Sequence, residues 1–568
     1  MKNLQFIKIC VWCLTLAASS CNEVDILREI PLDFASPENS FRTTEDFNAS
    51  IYSLYYLTRE ILSEERNPFD HMYGTDLGFN GATDLNQRFG SYLASLNPTT
   101  SLVRNHWRQY YRIIFSANTI LNRVTTSDLT EVQKIKIEAE AKLFRGLAYR
   151  NLAQLYGGVP IELEEVNTPK TDYTRASRQE VYIQAAADLE FAANNLSGIL
   201  AVRDGEITNL AAYHLLAEVY LSLNRWSDAI DAATMVIDDP NTALMSQRFG
   251  SRATEPGDVY WDLFRRGNQN RSSGNTEGIW VFQFEVDVLG GVLQTSSRRG
   301  LIYEREHAPR VYNFPYKDPG GITPFLPLAV SDYTGGRGIG SFRGTDHFNY
   351  GIWNYDWDDM RNSKYNFVRD VPFNNPASEW YGQNISDQWE VFRQTSFDTI
   401  RGFYPYQSKV TTPGNHPSEL FVDSELKTLN ASTAGATYTD WYFIRLGETY
   451  LIRSEAYFSN GDLANAAADI NVIRSRANAK LVSPDEIDID FILDERMREL
   501  GVEERRRLTL SRLGLLYERT KKYCNGNPES ANFGVDVQPY NNLFPIPFSE
   551  IESNTGAVLE QNPGYSAQ

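Results

Sequence analysis

The chain has 568 residues, more than one hydrophobic core usually serves, so two lobes or one elaborated domain are expected. A formal net charge of −19 excludes nucleic acid as a general partner, because phosphate binding needs clustered Lys and Arg; removing Lys2 and Lys8 with a leader would leave 52 basic against 73 acidic residues, or −21. An acidic surface also repels anionic polymers in general, while a local patch such as Arg298 and Arg299 can still hold one sulfate or uronate.

Residues 1–20, MKNLQFIKICVWCLTLAASS, place Lys2 and Lys8 before an apolar run of about ten residues that ends in small ones. That is the form of an export signal, too short to span a bilayer. Cys21 follows Ala18, Ser19 and Ser20, the pattern of a bacterial lipoprotein cleavage site, where the thiol takes a diacylglycerol and the new amine a third chain. An ordinary secretory signal with an incidental Cys is the competing reading. Buried acyl chains contribute roughly 0.8 kcal/mol per CH₂, so several together anchor the protein permanently on a membrane without spanning it. With Cys10 and Cys13 removed and Cys21 acylated, Cys524 alone remains. No internal disulfide can then form, and Cys524, with no His near it in sequence, reads as a bystander and not a nucleophile.

Residues 21–45 read as a mostly polar tether leading into the fold. A helix is predicted over 46–62, with Phe47, Ile51, Leu54 and Tyr55 on one stripe and Thr43 or Thr44 placed to cap it. Five more follow at about 103–124, 131–156, 178–195, 208–223 and 226–238. An internal repeat is visible: AEVYLSLNRWSDAIDAATMVI (217–237) aligns with SEAYFSNGDLANAAADINVI (454–473), pairing Tyr220 with Tyr457, Trp226 with Leu463 and Ala229 with Ala466. Both read as a helix ending in Tyr, a short turn and a second helix with Ala at its contact face, the logic of tetratricopeptide hairpins. The predicted fold is therefore mainly α, with a helical region at 46–240, a long interruption at 241–437 and a C-terminal hairpin and tail at 438–568.

The interruption is rich in Gly, Pro, Asn and aromatics, and six of the ten Trp lie between 261 and 389. A structureless loop of that length does not fit a compact domain, so short strands are expected within it. IWVFQFEV (279–286) is one, with Trp280, Phe282 and Phe284 on a single face; these rings, like Trp261 and Phe264, read as core before site. HFNYGIWNYDWDDM (347–360) is different, with five rings in fourteen positions and no clean period.

Catalytic signatures are missing: the sequence has no HExxH, GxSxG or CxxC. GGRGIGSFRG (335–344) departs from GxGxxG and lacks a strand-then-helix context, so it does not read as a phosphate loop. Asp358 and Asp359 are adjacent and cannot flank a glycosidic bond across a cleft. No enzyme activity, cofactor or metal site is expected.

Seven further stretches belong together: LAASSCNEVD at the lipoprotein start, HWRQYYRIIFSANTILNRV (106–124), AEAKLFRGLAYRNLAQLYGGVPIE (139–162), FIRLGETYLIRSEAY (443–457), DINVIRSRAN (469–478), DERMREL (494–500) and NNLFPIPFSEIESNTGAVLEQNPGY (541–565). In this order they resemble the SusD/RagB family of surface nutrient-binding lipoproteins. One departure is VEERRRLTLSRLG (502–514), where the family often has an EGxR and DL series with a Trp; Glu503 and Arg507 can still pair at i,i+4 along a helix. The resemblance implies a SusD-like fold. It also implies an outward-facing lipoprotein of the outer membrane, lipidated at Cys21, whose helical side meets a SusC-like TonB-dependent transporter and whose insertion presents oligosaccharide to it. Relatives of RagB type take peptides instead, and a pure assembly subunit is a third reading.

Sugar binding explains the ring-rich loop physically. A pyranose face is covered by an exposed Trp or Tyr, while Asn, Asp, Gln and Arg take the hydroxyls. Trp353, Tyr355 and Trp357 stand at every second position and would project to one side if extended, with Trp353 and Tyr355 ranked above Trp357, since WDDMRN looks like family framework. Tyr312 and Tyr316 in VYNFPYKDPGG, and Trp380 and Tyr381 in SEWYGQN, are further candidates. So are Tyr73 and Asp76 in the early loop, where the resemblance places ligand contacts. Structural packing competes with ligand binding at each of these positions.

Overall fold

Helices dominate the computed structural model, which describes residues 41–63, 69–81, 88–288, 300–388, 390, 401–411, 414, 416–432, 434–524, 534 and 536–566. The leader, Cys21 and the Arg298 and Arg299 patch lie outside the described residues. The principal helices are α1 (Thr44–Ser63), α2 (Ser101–Thr125), α3 (Glu131–Tyr156), α4 (Arg178–Asn195), α5 (Asn209–Ser222), α6 (Trp226–Ile237), α7 (Leu446–Ser459), α8 (Leu463–Arg476), α9 (Ile489–Glu499) and α10 (Arg506–Leu513). Their starts are chemically marked. The side chains of Thr100, Thr130, Ser177 and Thr208 each accept an N–H of the first turn, and Thr130 with Gln133 and Ser177 with Glu180 form reciprocal capping boxes. Among the described residues no helix is long and apolar enough to cross a membrane.

Helices α2 to α6 pack each on the next, and α6 packs directly on α7, so the helical stack resumes after the long interruption where it stopped. Small residues set the spacing: Ala185, Ala192, Ala229, Ala233, Ala456 and Ala466 are buried, and a Cβ at Gly146 would meet Leu189 Cγ at 2.8 Å. The repeat seen in the sequence is a structural one. Helices α5 and α7 both have 14 residues. Each ends in the same turn, with Arg225 N–H donating to Tyr220 O (2.9 Å) and Asp462 N–H to Tyr457 O (2.8 Å). The equivalent residues Asn224 and Gly461 both take positive φ there.

Among the described residues eight short strands form four antiparallel pairs. These are β1 (Gly78–Asn80) with β3 (Phe342–Gly344), β2 (Gly278–Phe282) with β8 (Trp441–Arg445), β4 (Phe367–Val368) with β5 (Tyr406–Gln407), and β6 (Phe421–Asp423) with β7 (Thr428–Leu429). The β2–β8 pair is the neck of the insertion, and β2 is buried on both faces. Trp280 and Phe282 join the helical core, where Trp280 meets Tyr55 and Phe144 edge-on, while Val281 turns toward Tyr260, Phe264 and Tyr442. The aromatic face of this strand is thus core, as are Trp261 and Phe264.

Charge is buried at the same neck. Arg361, fully enclosed, donates to Asp359 (2.6 Å), Glu495 (2.8 Å) and Glu499 (3.1 Å). Arg445 bridges Glu277 (3.0 Å), Glu503 (2.8 Å) and Glu499, and Arg476 bridges Glu277 (3.0 Å) and Glu499. Burial alone would raise these carboxyls, but Arg361, Arg474 and Arg498 hold Glu495 down to about 2, and Arg476, Arg445 and Arg361 hold Glu499 well below the usual range. The predicted helical pair of Glu503 with Arg507 is not made. Glu503 closes a 3₁₀ turn (Gly501–Glu503) and accepts from Arg445 and Lys409, while Arg507 donates to Tyr73 O (2.7 Å).

A second buried charge sits inside the insertion. His416 donates through Nε2 to Glu304 (2.7 Å) and through Nδ1 to Asp332 (2.8 Å). Burial opposes the imidazolium, but Glu304 and Asp332 raise it from 6.5 to about 10.

Two outcomes follow from these pairings. Glu499→Gln leaves three guanidiniums short of an anion and should cost about 3–5 kcal/mol, read by denaturant melts. His416 has a folded value above its free one, so its stabilisation is complete below pH 6.5 and lost as pH rises through about 10. The melting temperature of the wild type should fall across that window more steeply than that of His416→Gln.

Candidate functional site

The ring-rich loop folds as a short helix (Asp346–Asn349), capped by Thr345, followed by a 3₁₀ turn (Gly351–Tyr355). A 3₁₀ turn breaks the every-second-residue pattern, so Trp353, Tyr355 and Trp357 do not share a face. Trp353 is fully buried, its Nε1 donating to Phe348 O (3.1 Å) and its ring meeting Phe367 edge-on. It is a core residue and offers no face to a sugar. Tyr355 is half-buried, its hydroxyl on Glu486 (3.0 Å) and its ring under Arg474. Trp357 is the exposed one, at 52%, with Tyr350 at 43%.

One guanidinium braces both exposed rings. Arg369 lies 4.9 Å from the Trp357 ring centroid, 5.1 Å from that of Tyr350 and 4.4 Å from that of buried Phe367. Burial draws Arg369 down to about 10, and it donates to Asn362, whose own amide donates to Trp357 O (2.9 Å). The loop backbone and the rings are thereby fixed together. Exposed Asn354 and Asp358 stand beside them in the chain. Two half-exposed rings with a guanidinium and amide and carboxylate side chains at hand can stack on sugar faces and bond their hydroxyls.

The other candidates divide by burial. Tyr73 is enclosed, donating to Glu306 (2.6 Å) and accepting from Arg88 (2.9 Å). Asp76 is enclosed too: it accepts from Arg506 (2.8 Å twice) and Arg519 (2.7 Å), which hold it well below the usual carboxylate range against the effect of burial. It staples the early loop to the C-terminal segment. Trp380 is buried and stacks on Phe373, whereas Tyr381 beside it is 59% exposed. Tyr312 and Tyr316 are half-buried against two separate small cores. Tyr73, Asp76, Trp353 and Trp380 are therefore framework, because each fills or neutralises an interior position. Cys524 is buried, its thiol pushed up to about 12, which suits neither nucleophile nor metal ligand. Among the described residues no group of three or more His, Cys, Asp or Glu could hold a metal ion.

The sequence profile described as "SusD family" matches residues 312–565, and that described as "Starch-binding associating with outer membrane" matches residues 32–221. The chain belongs to the SusD family. SusD-like protein P25 of Formosa agariphila is 24% identical, over 97% of this chain and 98% of its own. Starch-binding protein SusD of Bacteroides thetaiotaomicron is 40% identical over 134 residues, 23% of each chain. Among solved structures, a laminarin binding SusD-like protein superposes with a TM-score of 0.65 at 22% identity, over 92% of this chain and 100% of that one, a likeness of fold.

Within this SusD-family chain, sequence reasoning passed over Tyr350 and Arg369. Tyr350 lay outside the alternating series, and nothing in sequence ties Arg369 to rings a dozen or more residues earlier. It also passed over Tyr52 and Tyr56, which face away from the apolar stripe of α1. With Arg59, Arg203, Glu206 and Gln283 they line a groove of about 710 Å³ at the foot of the insertion. Stability separates framework from platform: Trp353→Ala should cost about 3–5 kcal/mol in denaturant melts, and Trp357→Ala less than about 1 kcal/mol.

Proposed function

We propose that this protein captures glycan at the cell surface and passes it to a SusC-like TonB-dependent transporter, held on the outer membrane by lipid at Cys21. The observation that carries the capture step is the platform of Trp357 and Tyr350 braced by Arg369. A rigid exposed ring is what a glycan needs and what a folding chain otherwise avoids, since each half-exposed ring leaves apolar area in water. Tyr381 and the half-buried Tyr312 and Tyr316 offer further ring faces on the same insertion.

Membership of a family with a profile described as starch-binding and associating with the outer membrane supports both halves of the reading. So do the starch-binding name of one relative and the laminarin-binding name of a structural neighbour. The signal-like residues 1–20 and the following Cys21 supply the anchor. Binding without catalysis is proposed, because Asp358 and Asp359 do not flank an open cleft: Asp359 is buried against Arg361 and Asp358 faces solvent.

The test is affinity electrophoresis of residues 22–568 through gels carrying neutral and acidic polysaccharides. Retardation by at least one class is expected, falling about tenfold in affinity when both Trp357 and Tyr350 become Ala, from the apolar ring area no longer covered. Uniform migration in every gel would sink the reading.

A further inference from the structure

Four arginines gather where the insertion meets the early loop. Arg310 N–H donates to Arg401 O (3.0 Å), so the two residues leave neighbouring backbones. Gly340 permits the approach, since a Cβ there would meet Arg401 O at 2.9 Å. Arg401 Nε donates to Ile339 O (2.6 Å). Arg88 binds the Tyr73 hydroxyl and Glu306 (3.1 Å), and Arg343 lies over the Tyr404 ring at 5.5 Å. The groups sense one another: burial lowers the Arg401 guanidinium, and Arg310 and Arg88 lower it further.

Among the described residues negative charge here is scarce. Glu306 is engaged by Arg88 and Tyr73, and Asp70 also acts on Arg88. Among the described residues neither Arg310 nor Arg401 forms an ion pair, although both are only half-exposed. At the neck of the insertion, by contrast, Arg361, Arg445 and Arg476 each meet carboxylates. Like charges held close by backbone bonds, in a molecule of net charge −19, raise the energy of the empty state. An incoming oxyanion relieves that, and the planar guanidinium fork matches carboxylate and sulfate oxygens.

We infer that Arg310 and Arg401, backed by Arg88 and Arg343, form a subsite for an oxyanion on the captured sugar, a uronate carboxylate or a sulfate ester. This rests on the glycan-binding reading above and narrows it to acidic glycans. The acidic remainder of the surface then acts as a filter, repelling polyanions that cannot reach the cluster.

The experiment compares matched polymers on the wild-type 22–568 protein: polygalacturonate against its methyl ester, and a sulfated galactan against its desulfated form. The charged member of one pair should bind about tenfold or more tightly than its neutral counterpart, and the preference should shrink in high salt. Which pair responds identifies carboxylate or sulfate. Arg310→Gln and Arg401→Gln should each remove most of the preference, while Arg310→Lys keeps part of it; melting curves exclude misfolding. Equal binding of both members of each pair, or binding of neutral starch or laminarin alone, overturns the oxyanion subsite and leaves glycan capture standing. Retention of acidic peptides without any polysaccharide overturns both.

Discussion

Charges enclosed at the neck of the insertion must neutralise one another, and the arrangement that achieves this fixes where everything above it stands. Glu499, from the end of α9, meets Arg361 from the insertion, Arg445 from β8 and Arg476 from the end of α8. Glu277, just before β2, meets two of the same arginines. Five separate stretches of chain are thus tied at a point where none can shift without uncovering a charge. Such ion pairs add little to stability over an apolar core, but their geometry is directional, so they define one arrangement of insertion on scaffold. Arg361 also belongs to the WDDMRN segment (357–362), so the network reaches within a few residues of Trp357.

Much of the scaffold was legible in sequence because its signals are local. Thr130 with Gln133 and Ser177 with Glu180 announce helices before any packing is known, and Ala229 and Ala466 mark equivalent contacts. The core role of Trp280 and Phe282 follows from alternation in a short strand. The site was less legible, since exposure of a ring in a loop depends on how neighbouring turns fold. Trp353 and Trp357 look alike in sequence, yet a 3₁₀ turn sends one into the core and leaves the other in solvent. Asp76 looked like a hydroxyl acceptor, but its partners Arg506 and Arg519 lie more than four hundred residues away. Non-local partners also decide Glu503, which turns from Arg507 to Arg445 and Lys409, 58 and 94 residues away.

The proposed capture surface follows a common physical rule: rigid rings are useful only if something holds them out. Arg369 does so for Trp357 and Tyr350, being partly buried on Phe367 and hydrogen-bonded to Asn362. A platform braced in this way loses little conformational freedom on meeting a sugar, which favours affinity from a shallow surface.

The meeting of α6 and α7 has a consequence for how such a chain can diversify. Because the polypeptide departs and returns through the paired strands β2 and β8, the scaffold hardly registers how long the excursion is or what it contains. Loops can lengthen, shorten or change specificity while the helical stack keeps its shape, much as exchangeable heads fit one handle. The fitting is selective, however. Any transplanted head would have to bring counterparts of Glu277, Asp359, Arg361 and Lys409, or arrive with the socket's own charges left bare.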